Sequence, residues 1–272
     1  MEKTDSELVD GHCPLHPNQE LEIIEEENYF FKFSKYQKTL LDLYEKNPNF
    51  VVPKGKLNEI KTFVENGLND FSISRLAAKM PWGIPVPGDP THVMYVWFDA
   101  LINYISTLGW PSSAEATEGE PLDFKDFWPG YQVAGKDNLR QQTATWQAML
   151  SSAGIPFSKQ VFIHGFVTLN GKKISKSLGN TINPIEVAEK YGTDALRYYL
   201  LAKVNPTEDS DFTFEKFEEA YNGDLANGLG NLVSRVAKLC EKSGFDFTAD
   251  TSMHQQLDAD IQIYLDEYKF DE

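Results

Sequence analysis

Long apolar runs are missing from this sequence. No stretch of about 18 apolar residues occurs, which excludes a transmembrane helix of the usual length. The opening Met1-Glu2-Lys3-Thr4-Asp5 is polar and acidic, so the basic and apolar regions of a secretory signal are lacking too. Cysteine is scarce. Cys13 and Cys240 cannot build the multi-bridge framework of a small secreted scaffold, and a reducing, cytoplasmic setting is expected. Positive charge is in short supply: 25 Lys and Arg face 41 Asp and Glu, for a formal net charge of −16. Such a chain repels phosphate backbones on average. No internal repeat is visible, which argues against a solenoid. What is present is globular. Hydrophobic residues make up 41% and charged residues 24%, which excludes wholesale disorder, collagen and coiled coil. The 272 residues fit one or two domains at roughly 150 residues each.

One absence is local. From Asn138 to Ile185 there is no Asp or Glu, yet Arg140, Lys159, Lys172, Lys173 and Lys176 all fall there. Two origins are open. The lysines are clustered by chance and simply solvated, or the window is a site for a polyanion.

The patterns along the chain point to an α/β fold. Helices are expected around Ser34–Asn47 and Lys54–Gly67. Pro81, Pro85, Pro87 and Pro90 forbid a continuous helix after Met80. His92–Phe98, rich in Val, Tyr and Trp, reads as a buried strand. Tyr131–Ala134 reads as a short strand, followed by a helix from about Asn138 that Gly154 stops. Val161–Ile163 is the next strand. Strand, helix and strand at this spacing form a βαβ unit, so a parallel sheet covered by helices is expected. Asn170-Gly171 between extended residues signals a hairpin, because both turn positions need positive φ. Asn183-Pro184-Ile185-Glu186 supplies an N-cap, a first-turn proline and a capping glutamate. That helix should stop near Gly192, and another should run from Thr193 to before Asn205-Pro206. Ser112–Asp123 reads as a loop. In the last third Phe214, Phe217, Tyr221, Leu225, Gly228, Leu232, Val236 and Leu239 recur at helical intervals. Gly223, Gly228 and Gly230 would suit close helix–helix approach in a bundle, and Cys240 falls on the apolar face. The chain stops at Tyr268–Glu272 inside a helical pattern, which reads as truncation.

The stretch with most chemistry is Lys173-Ile174-Ser175-Lys176-Ser177-Leu178-Gly179-Asn180. Two lysines three apart, separated by small residues and followed by Gly-Asn, make a mobile cationic loop. It can bring ammonium groups to a triphosphate as charge builds on departing pyrophosphate. A solvated polar loop is the plainer alternative. Context favours the first: the loop follows a strand, His164-Gly165 and the Asn-Gly hairpin, and precedes a capped helix.

Here the sequence resembles the class I aminoacyl-tRNA synthetases, whose second motif is Lys-Met-Ser-Lys-Ser, with Ile174 in place of Met. The resemblance implies that Lys173 and Lys176 are catalytic and that Lys176 contacts the ATP phosphates. Gly135-Lys136-Asp137 resembles the family's Gly-x-Asp, which implies that Asp137 binds the ATP ribose, with Gly135 and His164 beside the nucleotide. Asp137 also suits an N-cap. Tyr95–Tyr104, Trp82–Asp89 and Glu25–Phe31 resemble the methionyl-tRNA synthetase branch. That likeness implies a methionine pocket lined by Trp97, Ala100, Leu101 and Tyr104, whose aromatic surface suits a polarizable thioether. Arg75 matches an arginine near the active site, or else is a surface arginine. Asn231-Leu232-Val233-Ser234-Arg235 resembles the helix that reads the anticodon, so Asn231 and Arg235 are expected to contact bases of tRNA(Met). Otherwise Arg235 pairs with Glu241. Cys13-Pro14-Leu15-His16 is half a zinc knuckle. Tetrahedral Zn2+ needs four ligands, and His12 is the one further candidate nearby, so a metal site at Cys13 and His16 would be incomplete.

The resemblance runs from about Leu8 to the end. It implies the C-terminal half of a Rossmann-like parallel sheet followed by an α-helical bundle segment. Residues 1–24 correspond to a remnant of the knuckle or connective region, and 25–74 to the helical end of a connective insertion. Residues 75–165 match the C-terminal half of the catalytic domain, 166–206 the lysine loop and stem-contact region, and 207–272 the truncated start of the anticodon bundle. The implied activity is ATP- and Mg2+-dependent formation of methionyl-adenylate and its transfer to tRNA(Met). The His-Ile-Gly-His motif of the other half is missing, so a separate N-terminal half chain is an expected partner. After Asp137 the family's Ile-Leu-Arg-Phe-His is replaced by Asn138-Leu139-Arg140-Gln141-Gln142, which alters expected methionine contacts at Asn138 and Gln142. A non-catalytic tRNA-binding fragment, or a synthetase for another amino acid, is the alternative.

Overall fold

The structure is a computed structural model that describes residues 27–110, 124–174, 179–244 and 252–270, together with His12; side chains in the last segment are described from 257 on. In chain order the first elements are β1 (Phe30–Phe31), α1 (Gln37–Lys46), β2 (Val51–Val52), α2 (Lys54–Glu65), β3 (Phe71–Ser72), β4 (Ser74–Leu76), β5 (Pro85–Val86) and β6 (Asp89–Met94). Next come α3 (Val96–Ala100), α4 (Asn103–Ser106), α5 (Phe124–Phe127), β7 (Tyr131–Gly135), α6 (Trp146–Ser152) and β8 (Gln160–His164). The rest are β9 (Val167–Leu169), β10 (Lys172–Lys173), α7 (Pro184–Tyr191), α8 (Thr193–Ala202), β11 (Ser210–Phe212), α9 (Phe214–Ala220), α10 (Asn231–Ser243) and α11 (Ser252–Asp266).

Two compact units emerge. One comprises the described residues up to Lys35 and from Leu68 to Phe124; the other comprises Tyr36–Gly67 and those from Lys125 on. The division therefore runs through the 25–74 segment, whose two helices belong to the second unit.

In the first unit β1 pairs antiparallel with β3, and β4-β6-β5 form an antiparallel sheet. Gly83 sits where an added Cβ would lie 2.6 Å from Val93 Cβ, so the proline-rich turn closes directly on β6. The strand expected over His92–Phe98 stops earlier. β6 ends at Met94, and the Tyr95 carbonyl accepts from the Phe98 and Asp99 N–H groups to start α3. Aromatic and β-branched composition favours a pleated surface. Here tertiary packing overrides it, because Leu101 and Ile105 recur four apart and bury one helical side.

In the second unit the parallel sheet has the order β2-β8-β7. β7, α6 and β8 form the expected βαβ unit. Val51, Val161, Ile163, Gln132 and Ala134 are all buried. Strand alternation gives them a common face, and α1, α2 and α6 supply the helical layer through Leu40, Tyr44, Leu57, Ile60, Val64, Trp146 and Leu150. The other face behaves differently. Tyr131 and Val133 are 60% and 62% exposed, while Phe162 is covered by a stacked Tyr268 ring 4.1 Å away. Parallel sheets are normally covered on both faces. Among the described residues this one has a helical layer on one.

The helix expected from Asn138 is interrupted. A 3₁₀ turn at Lys136–Asn138 and a π turn at Gln141–Thr145 precede α6. The wider turn is supported by side chains: Thr143 Oγ1 donates to the Leu139 carbonyl at 2.6 Å, and Gln147 Nε2 donates to the Gln142 carbonyl at 2.9 Å.

The hairpin forms as expected, with Asn170 at φ 51° and Gly171 at φ 74°. Asn183 caps α7 by accepting from the Ile185 N–H, and Glu186 accepts from the Asn183 side chain. Val187, Ala195, Tyr199, Phe212, Phe217 and Ala220 share one core, which crosses the boundary drawn at 206/207.

Between α9 and α10 the backbone is a π helix, Tyr221–Gly230. Among the described residues no second helix meets its glycines, contrary to the close helix–helix approach expected of them. Nothing lies within 4 Å of a Cβ added at Gly223, and the nearest neighbours for Gly228 and Gly230 are carbonyls five residues earlier, at 3.2 and 3.0 Å. Missing Cβ atoms thus leave room for the wide turn. Leu232, Val236 and Leu239 on α10 are exposed, and Cys240 on the same helix is half-buried.

Gly165 links the sheet to the loop that follows α8. An added Cβ there would overlap the Glu208 carbonyl group. Gly165→Ala should therefore cost about 2 kcal/mol or more through overpacking against backbone. Urea unfolding followed by far-UV circular dichroism measures this, and an unchanged midpoint would refute the close approach.

Candidate functional site

The second unit gathers most of the expected nucleotide residues at the carboxyl ends of its parallel strands. Gly135 closes β7 in register with His164, the last residue of β8. Ligands of open α/β sheets bind outside such strand ends. The His164 Nδ1 lies 2.7 Å from the Gly165 carbonyl. Donation there requires a proton on Nδ1 and leaves Nε2 as an acceptor in the neutral ring. Asp137 is exposed in the 3₁₀ turn and is not its N-cap, which is Gly135.

Lys136 faces the chain 73 residues later. Its Nζ donates to both Asp209 oxygens at 2.7 and 2.6 Å. The same carboxylate accepts from the Phe166 N–H at 2.9 Å. The Lys136 ammonium, then the Phe166 amide, hold the Asp209 carboxyl below the usual carboxylate range. Asp211 is lowered by the Gly171 N–H and the Thr168 hydroxyl, which donate to it at 2.6 and 2.7 Å. Asp211 thus ties the hairpin, and Asp209 holds the residue just before it.

Lys173 ends that hairpin. Its ammonium lies 4.7 Å from the Phe166 ring centre, and the Lys136 ammonium lies 4.6 Å from the same ring. Asn180 Nδ2 donates to the Lys173 carbonyl at 2.9 Å, so the two ends of the lysine loop are tied together. Lys176, between them, lies outside the described residues, as do Cys13 and His16. Among the described residues no group of three or more His, Cys, Asp or Glu is placed to hold a metal ion.

The first unit carries the expected pocket residues. Trp97 and Ala100 lie on α3, Leu101 caps it, and Tyr104 lies on α4. The 97, 101, 104 spacing puts them on one helical side. Trp97 and Tyr104 are half-buried, Ala100 is exposed, and Leu101 is enclosed in the core. Arg75 is held rather than loose: its Nη1 donates to Ser72 Oγ at 2.8 Å and the Ser74 carbonyl at 2.7 Å, and its guanidinium lies 5.1 Å from the Tyr95 ring centre. Asn231 and Arg235 are exposed four apart on α10. Arg235 makes no ion pair with Glu241.

Sequence reasoning missed Phe166 and Asp209, and gave His92 no role. Contacts 43 and 73 residues apart leave no local signal. His92 turns out to clasp the first unit. Its Nδ1 is 2.9 Å from Asp89 Oδ2, its Nε2 is 2.8 Å from the Glu27 carbonyl, and Tyr29 packs edge-on.

Against this geometry, the family described as tRNA synthetases class I (M) matches residues 2–237. The chain belongs to that family. Methionine–tRNA ligase of Thermosynechococcus vestitus is 47% identical over 242 residues, covering 88% of this chain and 45% of the relative. The enzyme of Nostoc sp. is 45% identical with the same coverage. A structure of Mycobacterium tuberculosis methionyl-tRNA synthetase in complex with methionyl-adenylate matches with a TM-score of 0.80 and 37% identity, covering 99% of this chain and 54% of that one. The chain thus spans about half the length of the synthetases it matches. The α/β fold with a parallel sheet and helical C-terminal segment is shared with them.

The His92 clasp makes a pH prediction. The Glu27 carbonyl first, then Asp89, raise the His92 pKa, while hydrogen bonds from Thr91 lower Asp89 to about 2. A raised imidazole stabilises the folded form fully below its unfolded value and loses that contribution as pH rises through the folded value. Tyr29 and Glu27 are the other titratable groups facing it. An NMR titration of His92 should give a midpoint above the ordinary value of about 6.5, and Asp89→Asn should bring it down. A midpoint at or below 6.5, or one indifferent to Asp89→Asn, contradicts the clasp.

Proposed function

We propose that this chain is the part of a methionine–tRNA ligase that carries one side of the adenylate-forming site, the lysine loop and the first anticodon-reading helices. The supporting observation is the tie between the Gly135–Asp137 turn and the lysine hairpin, made by Lys136, Phe166 and Asp209 at the carboxyl ends of β7 and β8.

In this reading a methionine carboxylate oxygen attacks the α-phosphorus of ATP, and the bond to the bridging oxygen breaks to release pyrophosphate. A tRNA(Met) 3′-terminal hydroxyl then attacks the activated carbonyl, and AMP leaves. Positioning and charge stabilisation are what this chemistry needs. Lys173 and Lys176 meet the charge on pyrophosphate. Asp137 accepts from the ribose hydroxyls, with Gly135 leaving the backbone bare beside it and His164 Nε2 available as an acceptor. Trp97, Ala100, Leu101 and Tyr104 contribute to the methionine pocket, with Arg75 in support. Mg2+ enters with the nucleotide. Cys13 and His16, even with His12, fall short of four zinc ligands, so no step depends on zinc.

The exposure of Tyr131 and Val133 on the second face of the sheet supports a need for the remaining α/β layer, in the same polypeptide or from a separate N-terminal half. A cytoplasmic setting suits methionine, ATP and tRNA alike, and no helix among the described residues is long and apolar enough to cross a membrane. The exposed Asn231 and Arg235 favour a second reading, a tRNA-binding piece without catalysis. Steeply salt-dependent tRNA(Met) binding without any response to methionine or ATP would favour it.

Methionine-dependent ATP–pyrophosphate exchange separates these readings. The chain alone should show none, and the chain complemented by the rest of the catalytic domain should show exchange. In the complemented enzyme Lys176→Ala should cut the rate by about 10²–10³-fold. An unchanged rate removes Lys176 from the mechanism, and exchange by the chain alone removes the need for the missing layer.

A further inference from the structure

We propose that Phe166 is a positioning residue for the lysine loop: its ring holds the Lys173 ammonium while no phosphate is bound and yields it to an incoming polyphosphate. The inference rests on the reading of this loop as phosphate-binding.

Phe166 is fixed on both sides. Its N–H donates to Asp209, its carbonyl accepts from the Ser210 N–H at 2.9 Å, and the preceding Gly165 N–H donates to the Pro206 carbonyl at 3.3 Å. The ring edge lies beside the Gly135 turn, where an added Cβ would be 3.8 Å from it. Two ammonium groups share this ring, at 4.6 and 4.7 Å from its centre. Their situations differ. Lys136 is committed to Asp209, whose charge offsets its own and lowers the repulsion between the pair. Among the described residues Lys173 makes no ion pair, and its ammonium lies against the Phe166 ring.

Phe166 is half-buried, and a cation over such a ring is held less strongly than by a charge-assisted contact to phosphate. The ring therefore retains Lys173 without competing with the ligand. Retention has a purpose in a chain of net charge −16. An untethered lysine there would find surface carboxylates, and leaving one costs more than leaving a ring. The lysine stem can swing without disturbing the hairpin, since the ties at Asp211 and Asn180 are made by Gly171, Thr168 and the Lys173 carbonyl.

Isotope-labelled reductive dimethylation of the full chain keeps every lysine charged and gives each a methyl NMR signal. Lys173→Arg identifies the signal of interest by its loss. That signal should be shifted upfield by the ring current. Phe166→Leu should return it to the solvated-lysine position, whereas Phe166→Tyr, which keeps the ring, should preserve the shift. Inorganic pyrophosphate with Mg2+ should return it to the solvated-lysine range. A signal unshifted in the starting chain, or unmoved by Phe166→Leu, overturns the ring contact. Pyrophosphate that moves other lysine signals and leaves this one upfield overturns the release. Pyrophosphate that moves no lysine signal overturns the phosphate-binding reading and the release with it, while the ring contact still stands or falls on the Phe166 variants.

Discussion

The Asp209 carboxylate is the point on which the described geometry at the carboxyl ends of β7 and β8 depends. It joins three stretches that sequence separates: the turn after β7, the exit of β8, and the loop before β11. Lys136 alone would be a solvated lysine at a strand end, and an exposed ion pair contributes little to stability. Its value here is geometric. A bidentate ammonium contact plus a backbone amide gives the carboxylate one orientation, and the Phe166 ring is carried into place with it. Gly165 is the steric condition for this arrangement, because any side chain there would push the Glu208 backbone away and Asp209 with it.

The fold was legible where local chemistry decides conformation. Asn170-Gly171 gave a hairpin because both residues take positive φ, and Asn183-Pro184 gave a helix start because the cap and the ring pre-set the turn. The parallel βαβ unit followed from spacing alone. Legibility failed where packing competes with propensity. Tyr95–Phe98 has strand composition, yet Leu101 and Ile105 need one helical side buried, and the helix wins. It failed again at the glycines of Tyr221–Gly230. A missing Cβ allows close approach, but sequence does not say of what, and here the neighbours are the segment's own carbonyls.

The candidate site was half legible for a related reason. Gly135, Asp137, His164 and Lys173 occur in short motifs, so residue type and spacing expose them. Phe166 and Asp209 work through long-range contacts and carry no motif of their own. His92 illustrates the same limit in the first unit. Its partners Asp89 and Glu27 are three and 65 residues away, and only the fold puts an acceptor at each ring nitrogen.

Charge brings these strands together. A chain with 41 acids and 25 bases is a poor phosphate binder on average, so a phosphate site in it must be made locally. In the proposed reading the window from Asn138 to Ile185 does so by omitting acids from the sequence. Folding then reintroduces two, Asp209 and Asp211, but uses them selectively. Asp209 is spent on Lys136 and the Phe166 amide; Asp211 is spent on the hairpin amide and a threonine hydroxyl, with Lys216 near. Neither reaches the Lys173 ammonium. Carboxylates thus build the platform, and the ring meets the remaining cation. In the proposed reading that division lets an acidic protein keep an ammonium that has no ion pair among the described residues at the carboxyl ends of a parallel sheet, where a carboxylate in the ring's place would repel an incoming anion.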